Sequence, residues 1–213
     1  PVAWHSNALA TVESFIGLVI VAMGTGLVFS KFSRPSARVA FSDKMIVHSR
    51  NGVPCLMFRM ANERTSQIVE AHLRVSVIKD EVTAEGHHLR RFYHLRLERE
   101  SSPIFSLTWT AIHPIDENSP LAGLSAETLT SQLAAVVVTF TGIDDTFAQT
   151  VHARTSYQSS AVAFNHRFVD MIDRDEHGMM TIHHGRLHHI VPLPGDDLVG
   201  MLSPALAAPS SGS

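Results

Sequence analysis

The sequence predicts a mainly β protein, an immunoglobulin-like β-sandwich preceded by one transmembrane helix. Residues 8–29 form an apolar run of 22 residues in which Glu13 is the only ionisable side chain. After residue 38 the apolar residues recur with a period of two instead of the helical period. The strand-like segments that follow are about 8 to 15 residues apart and are interrupted by one helical stretch, a spacing typical of β-sandwiches.

The apolar run is long enough to be a membrane span, because about 20 apolar residues cross the roughly 30 Å of hydrocarbon as a helix. The N-terminal flank has no Lys or Arg, whereas Lys31, Arg34 and Arg38 follow the run closely. The positive-inside tendency therefore places the rest of the chain in the cytoplasm. A cleaved leader and a buried core helix are the alternatives. The absence of a charged n-region and of a small-residue cleavage motif argues against the leader.

Several residues within the predicted span have two interpretations. A carboxylate at membrane depth, here Glu13, usually faces protein or water at a functional site. It also lies about one turn from the external end, where it is able to reach the interface. Gly17, like the later glycines, permits either close helix packing or bending. Phe29, at the cytoplasmic end, either closes a helix bundle or lies at the interface. The spacing of the residues leaves these alternatives open.

The composition restricts the classes of partner. The 213 residues carry a formal net charge of −3, so no global field favours nucleic acid, and none is expected as a partner. Cys55 is the only cysteine, which excludes an internal disulfide framework, and we expect it to be a small buried strand residue.

We predict a transmembrane helix and juxtamembrane linker at 1–35, a cytoplasmic domain at 36–191 and a disordered tail at 192–213. Because the span follows Pro1 almost at once, we expect the chain to belong to a longer protein.

Turn residues and alternation locate the elements of the predicted domain. Asn51-Gly52 is the strongest hairpin signal, because both residues tolerate positive φ, and it joins strands at 45–47 and 55–60. Glu85-Gly86 predicts a second turn. The remaining predictions are a turn over 142–145, a helix over 126–133 after a capping Ser125, and strands over 39–41, 73–77, 95–97, 104–112, 136–141, 150–155, 167–172 and 180–183.

No pattern in the sequence predicts an enzyme. The fourteen histidines include adjacent pairs, which point to opposite faces of a strand, and HExxH, CxxC and His-x-His spacings are absent. Phosphate-binding glycine loops and nucleophile motifs are absent as well. We therefore expect no catalytic residue and no metal site. Four acids would line a cation path if the domain encircled an axis, but their ordinary interpretation is exposed loop charge: Glu81, Glu85, Asp144 and Asp145.

Five phrases follow one another in an order that resembles a known family. They are ATVESFIGLVIVAMGTGLVFSKFSRP, FSDKMIVHSRNGVPCLMFRMANER, QIVEAHLR, SPIFSLTWTAIHPIDENSPL, and HARTSY with HRF. Over residues 8–190 the chain resembles the C-terminal part of prokaryotic inward-rectifier potassium channels, the KirBac group. The resemblance implies a homotetramer in the bacterial inner (plasma) membrane, whose inner helices line a potassium pore continued by cytoplasmic domains of the immunoglobulin-like E-set type. Potassium is the implied permeant ion, and no cofactor is implied.

The resemblance also implies roles for residues of the helix. It places a hinge at Gly17, pore-lining positions at Val21 and Thr25, and the gate of the helix bundle at Phe29. Val21 stands where strong rectifiers carry an acid, which argues against tight block by polyamines. The glycine that the family has before its late His-Arg pair is Asn165 here, so we expect the local packing to differ.

Further implied roles concern lipid and the cytoplasmic part of the pore. Lys31, Arg34 and Arg38 fall where anionic membrane lipids, including phosphoinositides, act in the family, although such cations are equally common as a topology signal. Glu85 and His87 are the implied candidates for the cytoplasmic pore. The outer helix, the pore helix and the TxGYG filter of the family are not in this sequence, so potassium selectivity is inferred from the resemblance alone. The alternative function is a membrane-tethered β-sandwich binding module without conduction.

Overall fold

The computed structural model describes residues 3–32, 38–123, 128–129, 133–174 and 178–194. The chain falls into two compact units, Pro1–Ser36 and Ala37–Ser213. The first unit contains the long helix α1 (Trp4–Phe32), and the second contains the strands.

Helix α1 has the length and surface of a membrane span. Its 29 residues extend about 44 Å, and the stretch Trp4–Ser30 has a mean hydropathy of 2.0 with none of it buried within the chain. The hydroxyls of Thr11, Ser14 and Thr25 donate to carbonyls four residues earlier at 2.7–2.8 Å, so these polar groups are satisfied inside the helix. Because the helix is apolar on all sides, its surface requires lipid or other helices around it.

The first sheet of the second unit, sheet A, is built around a long central strand. Its strands are β1 (Val39–Phe41), β2 (Met45–Arg50), β3 (Val53–Asn62), β7 (Thr108–Pro114) and β10 (Val162–Phe164). Strand β3 pairs antiparallel with β1, β2 and β7, and β10 runs parallel beside β2. Asn51 and Gly52 connect β2 to β3 with φ values of 53° and 81°, which confirms the predicted hairpin.

The second sheet, sheet B, is also organised by one long strand. Its strands are β4 (Ile68–Val82), β5 (His88–Leu95), β6 (Ser101–Phe105), β8 (Leu133–Asp144) and β9 (Gln149–Tyr157). All pairs are antiparallel: β5 and β6 lie along one edge of β4, β8 lies along the other, and β9 follows β8. The predicted immunoglobulin-like sandwich is confirmed by these two sheets and the apolar core between them.

Aromatic side chains fill the core between the sheets. Trp109 and Phe58 from sheet A and Phe140 from sheet B are almost completely buried. Phe105 meets Phe140 edge to face with ring centroids 5.4 Å apart and lies 6.1 Å from the Trp109 ring. Edge-to-face contacts of this kind add to the free energy gained from burial alone.

The outer face of sheet A is covered by the last part of the chain. This part contains β11 (His166–Phe168) paired with β14 (Ile190–Pro192), β12 (Ile172–Arg174) paired with β13 (Met180–Ile182), and a short 3-10 turn at His184–Arg186. Another 3-10 turn, Ser159–Ala161, precedes β10, and its Ala161 packs on the core between the sheets. Phe168 packs on Ile46, Cys55 and Met57, which confirms the buried position expected for the cysteine. Sheet A is thus buried on both faces.

The predicted strand over 104–112 is wrong, because the chain changes sheets within it. Phe105 ends β6, which pairs with β4, and Thr108 starts β7, which pairs with β3. In the sequence the apolar residues alternate without a gap from Phe105 through Leu107 to Trp109, so the pattern gives no sign of the break. In the structure Phe105 and Trp109 are buried, whereas Leu107, where the chain changes sheets, is 44% exposed.

The predicted turn over 142–145 is also wrong, since β8 continues to Asp144 and the turn follows at 145–148. Gly142 is instead required by a close approach of β4, which bulges at Glu70 (φ 49°). A Cβ on Gly142 would lie 2.4 Å from Cγ2 of Ile68 and 3.3 Å from the carbonyl oxygen of Val69.

Two other predictions are only partly comparable with the structure. Thr128 and Leu129 are helical, but Leu133, the last residue of the predicted helix, begins β8, and the rest of that stretch lies outside the described residues. Asn165 adopts a φ of 55°, in the left-handed region that glycine favours. Its backbone therefore takes the conformation that a glycine at this position would allow.

Candidate functional site

The predicted hinge, pore-lining and gate residues share one side of α1. Gly17, Val21, Thr25 and Phe29 are spaced four residues apart, and each step rotates the position by about 40°, so all four fall within about 120° of the helix circumference. Val21 is 66% exposed and Phe29 is 72% exposed. Glu13 lies one such step before Gly17 and extends the same stripe. The helix therefore presents these residues together to whatever covers that side.

Gly17 has no internal reason to be a glycine. Apart from its chain neighbours and the backbone of its own helix, no heavy atom of the described residues lies within 4 Å of a Cβ built on it. The side chain of Leu27, two residues before Phe29, points to the opposite side of the helix because two residues rotate the position by about 200°. Leu27 is 71% exposed, which makes it a matched apolar reference for Phe29.

The cations that follow the helix are only partly placed. Lys31 lies in the last turn of α1, but its side chain and the whole of Arg34 are outside the described residues. Arg38 is exposed, has a φ of 41°, and its carbonyl accepts a 2.9 Å hydrogen bond from the backbone N–H of Glu63. Arg38 is thus fixed by its backbone to the end of β3, with its side chain in solvent.

Glu85 and His87 lie at the tip of the β4–β5 hairpin. The backbone N–H of Thr83 donates to the carbonyl of His87 at 2.9 Å, and the N–H of Gly86 (φ 83°) donates to the carbonyl of Thr83 at 2.9 Å. Hydrogen bonds from the Thr83 hydroxyl and from its own backbone N–H hold the pKa of Glu85 below its usual range. The tip therefore presents a charged carboxylate and an imidazole to solvent.

Ion pairs within the hairpin balance the charge of its stem. Arg90 donates to both carboxylate oxygens of Asp80 at 2.7 and 3.1 Å, which lowers the pKa of Asp80. Glu81 lies 3.7 Å from Arg91 and accepts a 2.7 Å hydrogen bond from the hydroxyl of Tyr93. Glu81, one of the acids considered for a cation path, is therefore already held by neighbours on β5.

A buried ion pair that the sequence did not reveal joins β8 to the segment before β4. The side chain of Asp144 is completely buried, and its Oδ2 lies 2.6 Å from a guanidinium nitrogen of Arg64. Oδ2 also accepts from the Ser66 hydroxyl at 2.9 Å, and Oδ1 accepts from the backbone N–H groups of Thr146 and Phe147 at 2.9 and 3.0 Å. The interpretation of Asp144 as exposed loop charge is therefore wrong.

These contacts decide the ionisation of Asp144. Burial would raise the pKa of the carboxyl, but the hydrogen bonds from Ser66, Phe147 and Thr146 and the charge of Arg64 outweigh it, and the pKa is lowered. Asp144 is therefore charged near neutral pH and fixes the 145–148 turn at the end of sheet B. In the sequence Arg64 and Asp144 are 80 residues apart, and nothing in the pattern around them indicates that they meet.

His113, in the HPIDENSPL phrase, is a second buried anchor. Its Nδ1 donates to the carbonyl of Arg96 at 2.6 Å, which leaves Nε2 to accept from the Ser119 hydroxyl at 2.7 Å. The Ser119 oxygen in turn accepts from the backbone N–H of Leu121 at 3.1 Å. Burial lowers the pKa of His113. The neutral imidazole thus holds the loop after β7 against the end of β5.

Metal ligation has no support in the part of the chain that the structure describes. Within these residues no three His, Cys, Asp or Glu side chains lie close enough together to hold an ion.

The comparison with protein families decides what the domain is. A model described as "Inward rectifier potassium channel C-terminal domain" matches residues 39–198, which include every strand of the sandwich. The chain belongs to the inward-rectifier potassium channel family. The predicted resemblance to the KirBac group is confirmed, and the family consists of channels rather than enzymes. Inward-rectifier channels are membrane proteins with a cytoplasmic domain, which agrees with an apolar helix followed by a sandwich.

Individual relatives extend the match to the helix. "Inward rectifier potassium channel Kirbac3.1" of Paramagnetospirillum magnetotacticum is 39% identical over 190 residues, 89% of this chain and 64% of the relative. "Inward rectifier potassium channel 4" of Homo sapiens is 34% identical over 191 residues, 86% of this chain and 43% of the relative. "ATP-sensitive inward rectifier potassium channel 12" of Gallus gallus is 31% identical over 193 residues, 87% of this chain and 45% of the relative. The chain thus spans less than two thirds of the length of these inward-rectifier channels.

Proposed function

We propose that this chain supplies the pore-lining helix and the cytoplasmic regulatory domain of a tetrameric inward-rectifier potassium channel in a bacterial plasma membrane. The observation that carries the proposal is a fully exposed apolar helix, 29 residues long, joined in one chain to a domain of this family. One helix encloses no pathway by itself, so conduction requires several copies around an axis. Four copies place four stripes of Gly17, Val21, Thr25 and Phe29 around that axis.

The gate of this channel is proposed at Phe29. Its ring is the bulkiest side chain of the stripe and stands one turn before the end of the helix. Four rings meeting at the axis would form an apolar constriction, which stops ions by excluding water. Movement about Gly17 would separate the rings, because glycine tolerates the change of backbone conformation that bending requires.

Anionic lipid, including phosphoinositide, is the proposed modulator. Lys31 lies in the last turn of the helix, and Arg34 and Arg38 come next in the sequence. Cations close to the end of a membrane span attract anionic headgroups, by about 1 kcal/mol for each cation at the membrane surface. Lipid shifts a gate only if it binds the open and closed states with different affinity. The carbonyl of Arg38 accepts a hydrogen bond from the backbone N–H of Glu63, so lipid bound by Arg38 would act on a residue that is fixed to the end of β3.

Rubidium flux into proteoliposomes tests the gate in the complete polypeptide that carries these residues. Phe29→Ala should raise basal flux several-fold, because it removes the apolar constriction. Leu27→Ala, on the opposite side of the helix, is the matched control and should leave basal flux unchanged. Equal flux in wild type and Phe29→Ala would refute a gate at this residue. Absence of flux in wild type, together with monomers in chemical cross-linking, would favour the tethered binding module.

The same assay tests the lipid. Replacing Lys31, Arg34 and Arg38 together with Gln should abolish most of the change in flux that phosphoinositide causes, whichever its direction. The matched control replaces three exposed cations elsewhere on the domain with Gln and should keep the phosphoinositide response: Lys44, Arg167 and Arg174. A phosphoinositide response that persists in the first variant, or is lost equally in the control, would refute the proposed lipid site.

A further inference from the structure

A cleft opens in the sandwich between the end of β5 and the loop that follows β7. Its volume is about 350 Å³, which is at the lower end of the range for small-molecule sites in proteins. One wall consists of residues between 94 and 98, and the other consists of residues between 113 and 120. This space is called the β5–β7 cleft below. A ligand of this size has few atoms, so the polar groups of the cleft decide which ligand fits.

Hydrogen bonds hold the two walls together. The imidazole of His113 bridges them, since Nδ1 donates to the carbonyl of Arg96 and Nε2 accepts from the hydroxyl of Ser119. The backbone N–H of Glu98 also donates to the carbonyl of Ile112 at 2.9 Å. The walls are therefore fixed within the domain, and binding does not have to order them.

Two opposite charges of the cleft have no ion partner. Among the described residues, the guanidinium of Arg96 makes no hydrogen bond or ion pair. Within the same part of the chain, the carboxylate of Asp116 accepts one hydrogen bond, from the backbone N–H of Asn118 at 3.0 Å, and lies in no ion pair. Glu98, by contrast, is held by Arg50 at 2.6 Å. The free charges of Arg96 and Asp116 are thus available to a ligand.

Apolar groups complete the lining of the cleft. Leu97 is buried, and Pro114 and Pro120 are half-buried. Burial lowers the pKa of His113, so its imidazole is neutral near pH 7 and adds no charge. The cleft therefore offers a free guanidinium, a free carboxylate and an apolar surface.

We propose that the β5–β7 cleft binds a small zwitterion that carries an ammonium and a carboxylate group, as free amino acids do. Arg96 would donate two parallel hydrogen bonds to the carboxylate, the geometry that its planar guanidinium favours. Asp116 would accept from the ammonium group. Singly charged ions fit less well, because Asp116 repels an anion bound to Arg96 and Arg96 repels a cation bound to Asp116. The proposal concerns the domain alone and does not depend on conduction by the helix.

Saturation-transfer difference NMR with four amino acids tests the cleft, using the whole chain in nanodiscs of phosphatidylcholine. The probes are L-alanine, L-valine, L-leucine and L-proline, because apolar groups complete the lining. We expect saturable binding of L-valine. Isobutylamine is valine without its carboxylate, and isovalerate is valine without its ammonium group. Each analogue should bind at least about tenfold more weakly than L-valine, since each loses one charge-assisted contact.

Two single substitutions locate the site. Arg96→Gln and Asp116→Asn should each weaken L-valine binding at least about tenfold. Both residues are exposed, so both variants should remain folded in a thermal melt. Asp116→Asn should also reduce the preference for L-valine over isovalerate, because it removes the charge that repels the anion. A purely structural role of Asp116 would leave this preference unchanged.

The control is Glu117→Gln/Arg167→Gln, which removes the same two charges from exposed positions outside the cleft. It should bind L-valine as wild type does, and equal weakening in this control would overturn the proposal. Undetectable binding of all four amino acids by wild type would overturn it as well. Equal affinities of wild type for L-valine and both analogues would indicate an apolar pocket without charge recognition, and the proposal would then be wrong.

Discussion

Replacing Asp144 by asparagine should destabilise the cytoplasmic domain strongly, because it breaks a buried ion pair while changing the side-chain volume very little. The asparagine Oδ1 is able to keep the hydrogen bonds from the N–H groups of Thr146 and Phe147 at 2.9 and 3.0 Å. An NH₂ group then replaces Oδ2, which in the wild type lies 2.6 Å from Arg64 and 2.9 Å from the Ser66 hydroxyl. Hydrogen-bond donors would face each other at that point.

The expected loss follows from burial. Asp144 is completely buried and the Arg64 side chain is 13% exposed, so solvent replaces little of the lost interaction. Removing one partner of a buried ion pair costs about 3 kcal/mol or more. In a domain of this size each kcal/mol lowers the melting temperature by about 2–4 °C, so Asp144→Asn should lower it by about 6–12 °C.

Differential scanning fluorimetry of the whole chain in detergent measures this loss. Asp145→Asn is the matched control, since the neighbouring residue is exposed and should change the melting temperature by no more than about 1 °C. Equal melting temperatures for the two variants near neutral pH would refute the structural role assigned to Asp144.

The pH dependence checks the same reasoning independently. The pKa of Asp144 is lower in the folded domain than in the unfolded chain, where it is about 4. The charged carboxylate therefore stabilises the fold above about pH 4, and this stabilisation is lost as the pH falls through the pKa of the folded state. The gap in melting temperature between wild type and Asp144→Asn should therefore shrink below about pH 4. A gap that stays constant into acid would indicate that the ionised carboxylate is not its source.

Two further predictions concern single residues of the sandwich. Gly142→Ala should lower the free energy of unfolding by about 1–3 kcal/mol, because its Cβ would lie 2.4 Å from Cγ2 of the buried Ile68. In urea unfolding, the double variant Gly142→Ala/Ile68→Ala should lose less stability than the sum of the two single variants, because Ile68→Ala removes the clashing atom. Losses that simply add would contradict the clash. Burial lowers the pKa of His113 in the folded domain, so as the pH falls this histidine is protonated in the unfolded chain before it is protonated in the folded one. Protonation therefore favours unfolding, and the melting temperature should fall as the pH drops below about 6.5. His113→Gln should flatten this fall whereas His87→Gln, at the exposed hairpin tip, should not; equal slopes in the two variants would refute the assignment.

Local chemistry was enough to predict several features from the sequence alone. The apolar run of residues 8–29 identified α1, since a fully apolar helix needs no partner within the chain to be recognised. Asn51-Gly52 located the first hairpin, because the positive φ values of such a turn restrict the residues that fit it. Alternation identified most strands, and the order of five phrases identified the family, which the match over residues 39–198 confirms.

Only the tertiary structure decided which distant residues meet. Apolar residues alternate without a gap through residues 104–112, although Leu107, where the chain changes sheets, is exposed. The change of sheet shows only in the structure, where the pairing passes from β4 to β3. Asp144 and Arg64 are charged residues of ordinary appearance, and their burial together is set by the register of β8 on β4. Arg74 and Arg154 are likewise 80 residues apart in sequence. Strand register, which long-range packing determines, places them on one row beside Thr139.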